Sequence, residues 1–248
     1  MPDALLHLHS SREALMEATA TFIAARMRAS APDRPFTLAL SGGSTPAMLY
    51  RLLGTAAYDD LPWDRVHLFW GDERYVPPTD EASNTRLVHA TLLDARPLPN
   101  AQVHPIPTGH GDPTQDAAQY EATLRTFFSD EGPTFDLALQ GLGSDGHTAS
   151  LFPDDHALCE LERWALPIDA PAYMDPRLRI TLTFPLLNRS RATLVLVAGA
   201  SKRDILHTLL YGTAEERAPY PAAHLQAHDG VHWFADHEAH PPAHPTRT

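Results

Sequence analysis

The run Gly141-Leu142-Gly143-Ser144-Asp145-Gly146-His147 sets an aspartate and a histidine in a glycine-rich loop behind the apolar stretch Phe135 to Leu139. An imidazole changes charge near neutrality, so it can take a proton from water and return it to a leaving oxygen. Two other readings of the same run fail on context. GxGxxG resembles a dinucleotide fingerprint, but that fingerprint opens a first βαβ unit and runs into a long helix. Here it lies past the middle of the chain and Pro153 interrupts soon after. Ser144 is no nucleophile elbow, because Leu142 stands where GxSxG requires glycine. A histidine merely hydrogen-bonded within its loop is the bland alternative.

A second glycine turn, Ser41-Gly42-Gly43-Ser44-Thr45-Pro46, follows the apolar run Phe36 to Leu40. Gly42 and Gly43 let the backbone pass close to a ligand, and helix N-terminal N–H groups attract an anion. Ser44 and Thr45 add hydroxyls that donate or cap; a plain capped turn satisfies the same residues. Gly71-Asp72-Glu73-Arg74 follows Val66 to Trp70, and Arg74 offers a planar fork suited to phosphate oxygens. Arg179 leads the run Arg179 to Phe184. Lys202, the one lysine among 19 cationic side chains, follows Thr193 to Ala198. Each could be an ordinary strand-end charge or turn ion pair; together they are cations and glycines gathered where strands end.

The elements that must carry these loops alternate. Leu5 to Leu8 reads as a first strand, and Ser10 with Glu13 as a capping box ahead of a helix from about Arg12 to Arg28. Phe36 to Leu40, Val66 to Trp70, Phe135 to Leu139, Arg179 to Phe184 and Thr193 to Ala198 read as further strands. Helices are expected after Pro46 and from Asp112-Pro113 to about Ser129. Strands separated by helices predict an α/β fold, a single doubly wound domain with a mostly parallel sheet, over residues 1–236. In such sheets ligands sit outside the C-terminal strand ends, so the loops should face one cleft. Residues 237–248, a His- and Pro-rich run without apolar period, are expected to fray.

Composition narrows the partners. A net charge of −12 disfavours nucleic acid and anionic membrane, which both need a basic face. No apolar run approaches the roughly 20 residues that cross a bilayer. Met1 to Ser10 shows no basic stretch followed by an apolar one, so no secretory signal is read there. The single cysteine, Cys159, allows no internal disulfide and suits a reducing compartment; a cytoplasmic protein is expected. The histidines near the C-terminus lack zinc-site spacing, and no metal or other cofactor is expected.

Taken in order, Ser41 to Pro46, Gly71 to Arg74, Ser83-Asn84, Asp145 to Pro153, Arg179 to Thr183, Gly199 to Lys202 and Leu225 to His228 with Trp233 and Asp236 resemble the signatures of the 6-phosphogluconolactonase family. The resemblance spans about Leu5 to Asp236. Gln140 departs from it, standing where an apolar or small residue is usual, as does Asp80, where histidine is common. The resemblance implies a modified doubly wound fold like that of glucosamine-6-phosphate deaminases and ribose-phosphate isomerases. It also implies hydrolysis of a phosphorylated sugar lactone, 6-phosphoglucono-δ-lactone, without a cofactor. His147 would be the general base and acid, with Asp72 or Asp145 supporting it. Gly42, Gly43, Ser44, Thr45, Arg74, Gly143, Arg179 and Lys202 would hold the substrate. Two rival readings are a deaminase acting on glucosamine 6-phosphate and a sugar-phosphate sensor without turnover. The deaminases carry a glutamate five residues after their histidine, where this chain has Phe152, and a tyrosine where it has Arg74.

Overall fold

The run Ala192–Val197 is buried along its whole length, as expected of a strand covered on both faces. Its side chains alternate: Leu194 and Leu196 enter the main core, while Val195 and Val197 join a second cluster with Trp233, Ile205, Leu206 and Leu209. A sheet with apolar residues on both sides needs helices on both sides. The computed structural model describes residues 4–128 and 132–240.

The strands are β1 (Ala4–His9), β2 (Phe36–Leu40), β3 (Val66–Trp70), β4 (Asp72–Arg74), β5 (Val103–His104), β6 (Leu137–Gly141), β7 (Ala165–Asp169), β8 (Leu178–Leu182), β9 (Ala192–Val197) and β10 (Val231–Asp236). The helices are α1 (Arg12–Ala29), α2 (Ser44–Leu53), α3 (Asn84–Val88), α4 (Pro113–Phe127), α5 (Phe184–Leu187), α6 (Arg203–Tyr211) and α7 (Ala214–Arg217). Seven strands form one sheet in the order β1-β10-β9-β6-β2-β3-β5, every pair parallel. The expected α/β domain with a doubly wound, mostly parallel sheet is therefore what the chain forms.

The structure departs from the sequence reading in several places. Arg179 to Phe184 does not extend the parallel sheet. It supplies β8, the middle strand of a separate antiparallel sheet, β4-β8-β7. Gly71 is the branch point: its N–H bonds Leu40 O at 2.8 Å in the large sheet, and its carbonyl accepts from Leu182 N at 2.8 Å in the small one. The helix cap is Ser11, whose Oγ accepts from Ala14 N at 3.2 Å, one residue later than the Ser10 box. The central strand starts at Leu137; the backbone N–H of Asp136 before it donates to the Thr37 side chain, Oγ1 at 2.9 Å. Residues 237–240, where the expected tail begins, form a turn with Ala239 buried and its N–H on Asp236. The rest of that expected tail, 241–248, lies outside the described residues.

Candidate active site

The chain winds outward from β2 through β3 to β5, then returns to β6 and winds the other way through β9 to β10. Connections leave the adjacent strands β2 and β6 in opposite directions, which opens a crevice at their C-terminal ends. A cleft of about 260 Å³ lies there. Gly42, Gly43, Ser44, Thr45, Asp72, Arg74, Gly143, His147, Arg179 and Lys202 all line it. Of the catalytic and substrate-holding residues expected from the sequence, only Asp145 is not on this wall; it is the hydrogen-bond partner of His147.

The β6 loop is closed on itself. Gly143 N donates to His147 O at 2.8 Å and Gly146 N to Gly143 O at 3.1 Å. This folds His147 back so that its Nδ1 meets Asp145 Oδ1 at 2.6 Å. Burial works against the Asp145 charge, but bonds from His147 and from Tyr173 Oη, at 2.6 Å to Oδ2, hold its carboxyl well below the usual range. An ionised carboxylate only accepts, so Nδ1 carries the proton and Nε2 of the neutral ring keeps its lone pair. Gly143 is required by this packing: a Cβ there would lie 2.1 Å from His147 Nδ1 and 2.3 Å from Asp145 Oδ1. The glycine spacing that resembles a dinucleotide fingerprint thus makes room for an imidazole. The N–H groups of Gly143, Gly146 and His147 are all bonded within this loop.

The β2 turn is held from below by Tyr50. Its buried hydroxyl accepts from Ser41 N at 3.0 Å and donates to Ser41 O at 2.7 Å. Gly43 caps α2 with φ of 102°, which a side chain would resist. The first-turn N–H groups of a helix have no partner inside it, and the residues Gly43, Ser44 and Thr45 that open α2 line the cleft.

Cations close the opposite wall. β4 and β8 pair with Arg74 directly opposite Arg179, and Asp72 opposite Thr181. Arg74 Nη1 bonds Ala82 O at 2.6 Å, while its buried Nε has no hydrogen-bond partner. Arg179 is 5% exposed, with Nε on Pro176 O at 3.1 Å and its guanidinium 5.8 Å from the Phe152 ring centre. Burial, with Arg74 adding repulsion, lowers its pKa against the pull of Asp72. Lys202 reaches the cleft from the turn after β9; burial lowers its pKa and Asp145 partly restores it. Asp72 does not contact His147. Its carboxylate accepts from Ser150 Oγ at 2.6 Å and Asn84 Nδ2 at 3.3 Å.

Residues 10–233 match the family model described as glucosamine-6-phosphate isomerases/6-phosphogluconolactonase. This chain belongs to that family. It is 45% identical to a 6-phosphogluconolactonase of Synechocystis sp. over 82% of each chain. A solved 6-phosphogluconolactonase from Trypanosoma brucei superposes with a TM-score of 0.83 at 29% identity, covering 95% of this chain and 97% of that one. A monomeric glucosamine-6-phosphate deaminase shares the fold, with a TM-score of 0.80 at 20% identity over 95% of this chain and 98% of that one.

Within this family member, three groups that the sequence reading passed over help build the cleft. Glu73 is buried, which raises its pKa, but it accepts from Arg74 N, Asn84 N and Thr85 N and so folds the segment between β4 and α3. Ser150 sits between Asp72 and Arg179, 3.5 Å from Arg179 Nη1. Tyr173, in the connection between β7 and β8, reaches Asp145. Its neighbours Tyr-Met-Asp carry no motif, so no sequence signal marks it. The departure at Gln140 has a local reason: its Oε1 accepts from Thr148 Oγ1 at 3.1 Å, tying the residue after His147 to β6. Among the described residues no group of three or more His, Cys, Asp or Glu is arranged to hold a metal ion. None of their helices is long and apolar enough to cross a membrane.

Proposed function

We propose that the chain hydrolyses 6-phosphoglucono-δ-lactone to 6-phosphogluconate, in the cytoplasm, as a step of the oxidative pentose phosphate pathway. One observation carries the reading: the imidazole bonded through Nδ1 to Asp145 lines the same cleft as Arg74, Arg179 and Lys202. An acid–base group and an anion grip are what a phosphorylated ester needs.

Arg74, Arg179, Lys202 and the N-terminus of α2 hold the phosphate and sugar hydroxyls and orient the ring, supplying affinity at a distance from the reacting carbon. His147 Nε2 takes a proton from water as its oxygen bonds to C1. The imidazolium, steadied by Asp145, then gives that proton to the ring oxygen as the C1–O bond breaks. The new carboxyl group ionises and releases the net proton of the reaction.

The test is acid release from freshly generated phosphorylated lactone, with the spontaneous reaction subtracted. Acceleration by wild type, and a kcat about 10²–10⁴-fold lower for His147→Ala, are expected. Progress curves unchanged by enzyme would overturn the activity; a fully active His147→Ala would overturn the base. Ammonia release from glucosamine 6-phosphate should be negligible. Phe152 packs its ring 4.8 Å from the His147 ring, so the position where deaminases carry a glutamate is apolar here.

A further inference from the structure

We propose that Tyr173 is a positioning residue for the acid–base pair, setting both the orientation of Asp145 and the proton affinity of His147. The proposal rests on the reading of His147 as the base. Tyr173 is 69% exposed, yet its hydroxyl lies 2.6 Å from Asp145 Oδ2, the oxygen that His147 leaves free. A side chain in open solvent gains little by ordering its phenol unless the acceptor is strong, and an ionised carboxylate is strong. The chain around Tyr173 is anchored by hydrogen bonds. Ala170 N bonds Arg177 O and Met174 N bonds Pro171 O, each at 2.8 Å, and Pro176 O accepts from Arg179 Nε. One connection therefore touches both the acid–base pair and an arginine of the anion wall.

The direction of the effect follows from the charge. The phenol draws off part of the Asp145 charge, so Asp145 holds an imidazolium less tightly. The groups facing this pair are Tyr173 from the β7–β8 connection, Lys202 from the turn after β9, and Tyr220, packed against Gly146. Only Tyr173 donates to Oδ2 among the described contacts. With Tyr173→Phe, Asp145 should attract the imidazolium more, and His147 should protonate at a higher pH.

The experiment follows the imidazole nitrogen signals of His147 across pH in wild type and Tyr173→Phe, beside the pH profile of kcat. Both the titration midpoint and the acid limb of kcat should rise by about 0.3–1 pH unit in the variant. An unmoved midpoint would overturn the proposal. A midpoint that rises while the kinetic limb stays put would leave Tyr173 in this role and overturn His147 as the base.

Discussion

Arg74 and Arg179 stand directly opposite each other in the β4–β8 ladder, both on the wall of the cleft. Like charges at such a register position repel, and Arg179 is also largely removed from water. Asp72 offsets part of this through space, but its carboxylate is bonded to Ser150 and Asn84. On the proposed reading, a substrate phosphate held at this wall offsets the repulsion. Arg74→Ala and Arg179→Ala should each lose a charge-assisted contact worth about 1.5–3 kcal/mol to a phosphorylated ligand. Kinetics on lactones with and without phosphate check this: the variants should discriminate far less than wild type.

Gly143→Ala should fold but lose most of its turnover. The added Cβ overlaps His147 Nδ1 and Asp145 Oδ1, so the imidazole must leave its place while the sheet beneath stays intact. We expect a kcat lower by about 10²-fold or more, since displacement by an ångström costs that much in a positioned reaction. A near-native melting temperature with unchanged kcat would show that the loop can shift without consequence.

Lys202 should limit ligand binding on the alkaline side. Burial lowers its pKa below the ordinary 10.5, with Asp145 opposing, so its charge is lost at a lower pH than that of a free lysine. Calorimetric titration with 6-phosphogluconate avoids the spontaneous opening of lactone in base. Affinity should fall on the alkaline side for wild type and hold to higher pH for Lys202→Arg. Parallel profiles would assign the alkaline loss to another group.

Two histidine pairs should make the fold sensitive to mild acid. His7 Nε2 meets His232 Nδ1 at 3.1 Å, and His67 Nδ1 meets His104 Nε2 at 3.0 Å. Burial, with the neighbouring imidazole adding repulsion, pushes His232 and His104 each down to about 4. In the unfolded chain both titrate near 6.5, so below that pH the unfolded state binds more protons. Stability is unaffected above about 6.5 and falls progressively toward about 4. Melting temperatures measured from pH 7 to 4.5 should drop more steeply for wild type than for His104→Phe or His232→Phe.

Much of this was legible without coordinates. Apolar runs such as Phe36 to Leu40 and Thr193 to Ala198 carry their own period and burial, so the alternating strands and helices could be read locally. The glycine loops, Asp145, His147, Arg74, Arg179 and Lys202 stood out because each combines an unusual residue type with a strand end. The loops after β2, β6 and β9 converge because parallel strands bring their C-terminal ends to one side, whereas Arg74 and Arg179 arrive from the antiparallel sheet. Three matters were decided only in the folded chain. Periodicity does not say which strand pairs with which, so β8 leaving the parallel sheet, and Arg74 lying opposite Arg179, depend on the branch at Gly71. The choice of carboxylate for His147 depends on which loop oxygen reaches Nδ1, and Asp145 does so while Asp72 turns to Ser150. Tyr173 meets Asp145 across 28 residues of sequence, a contact made by the packing of two sheets rather than by any local pattern.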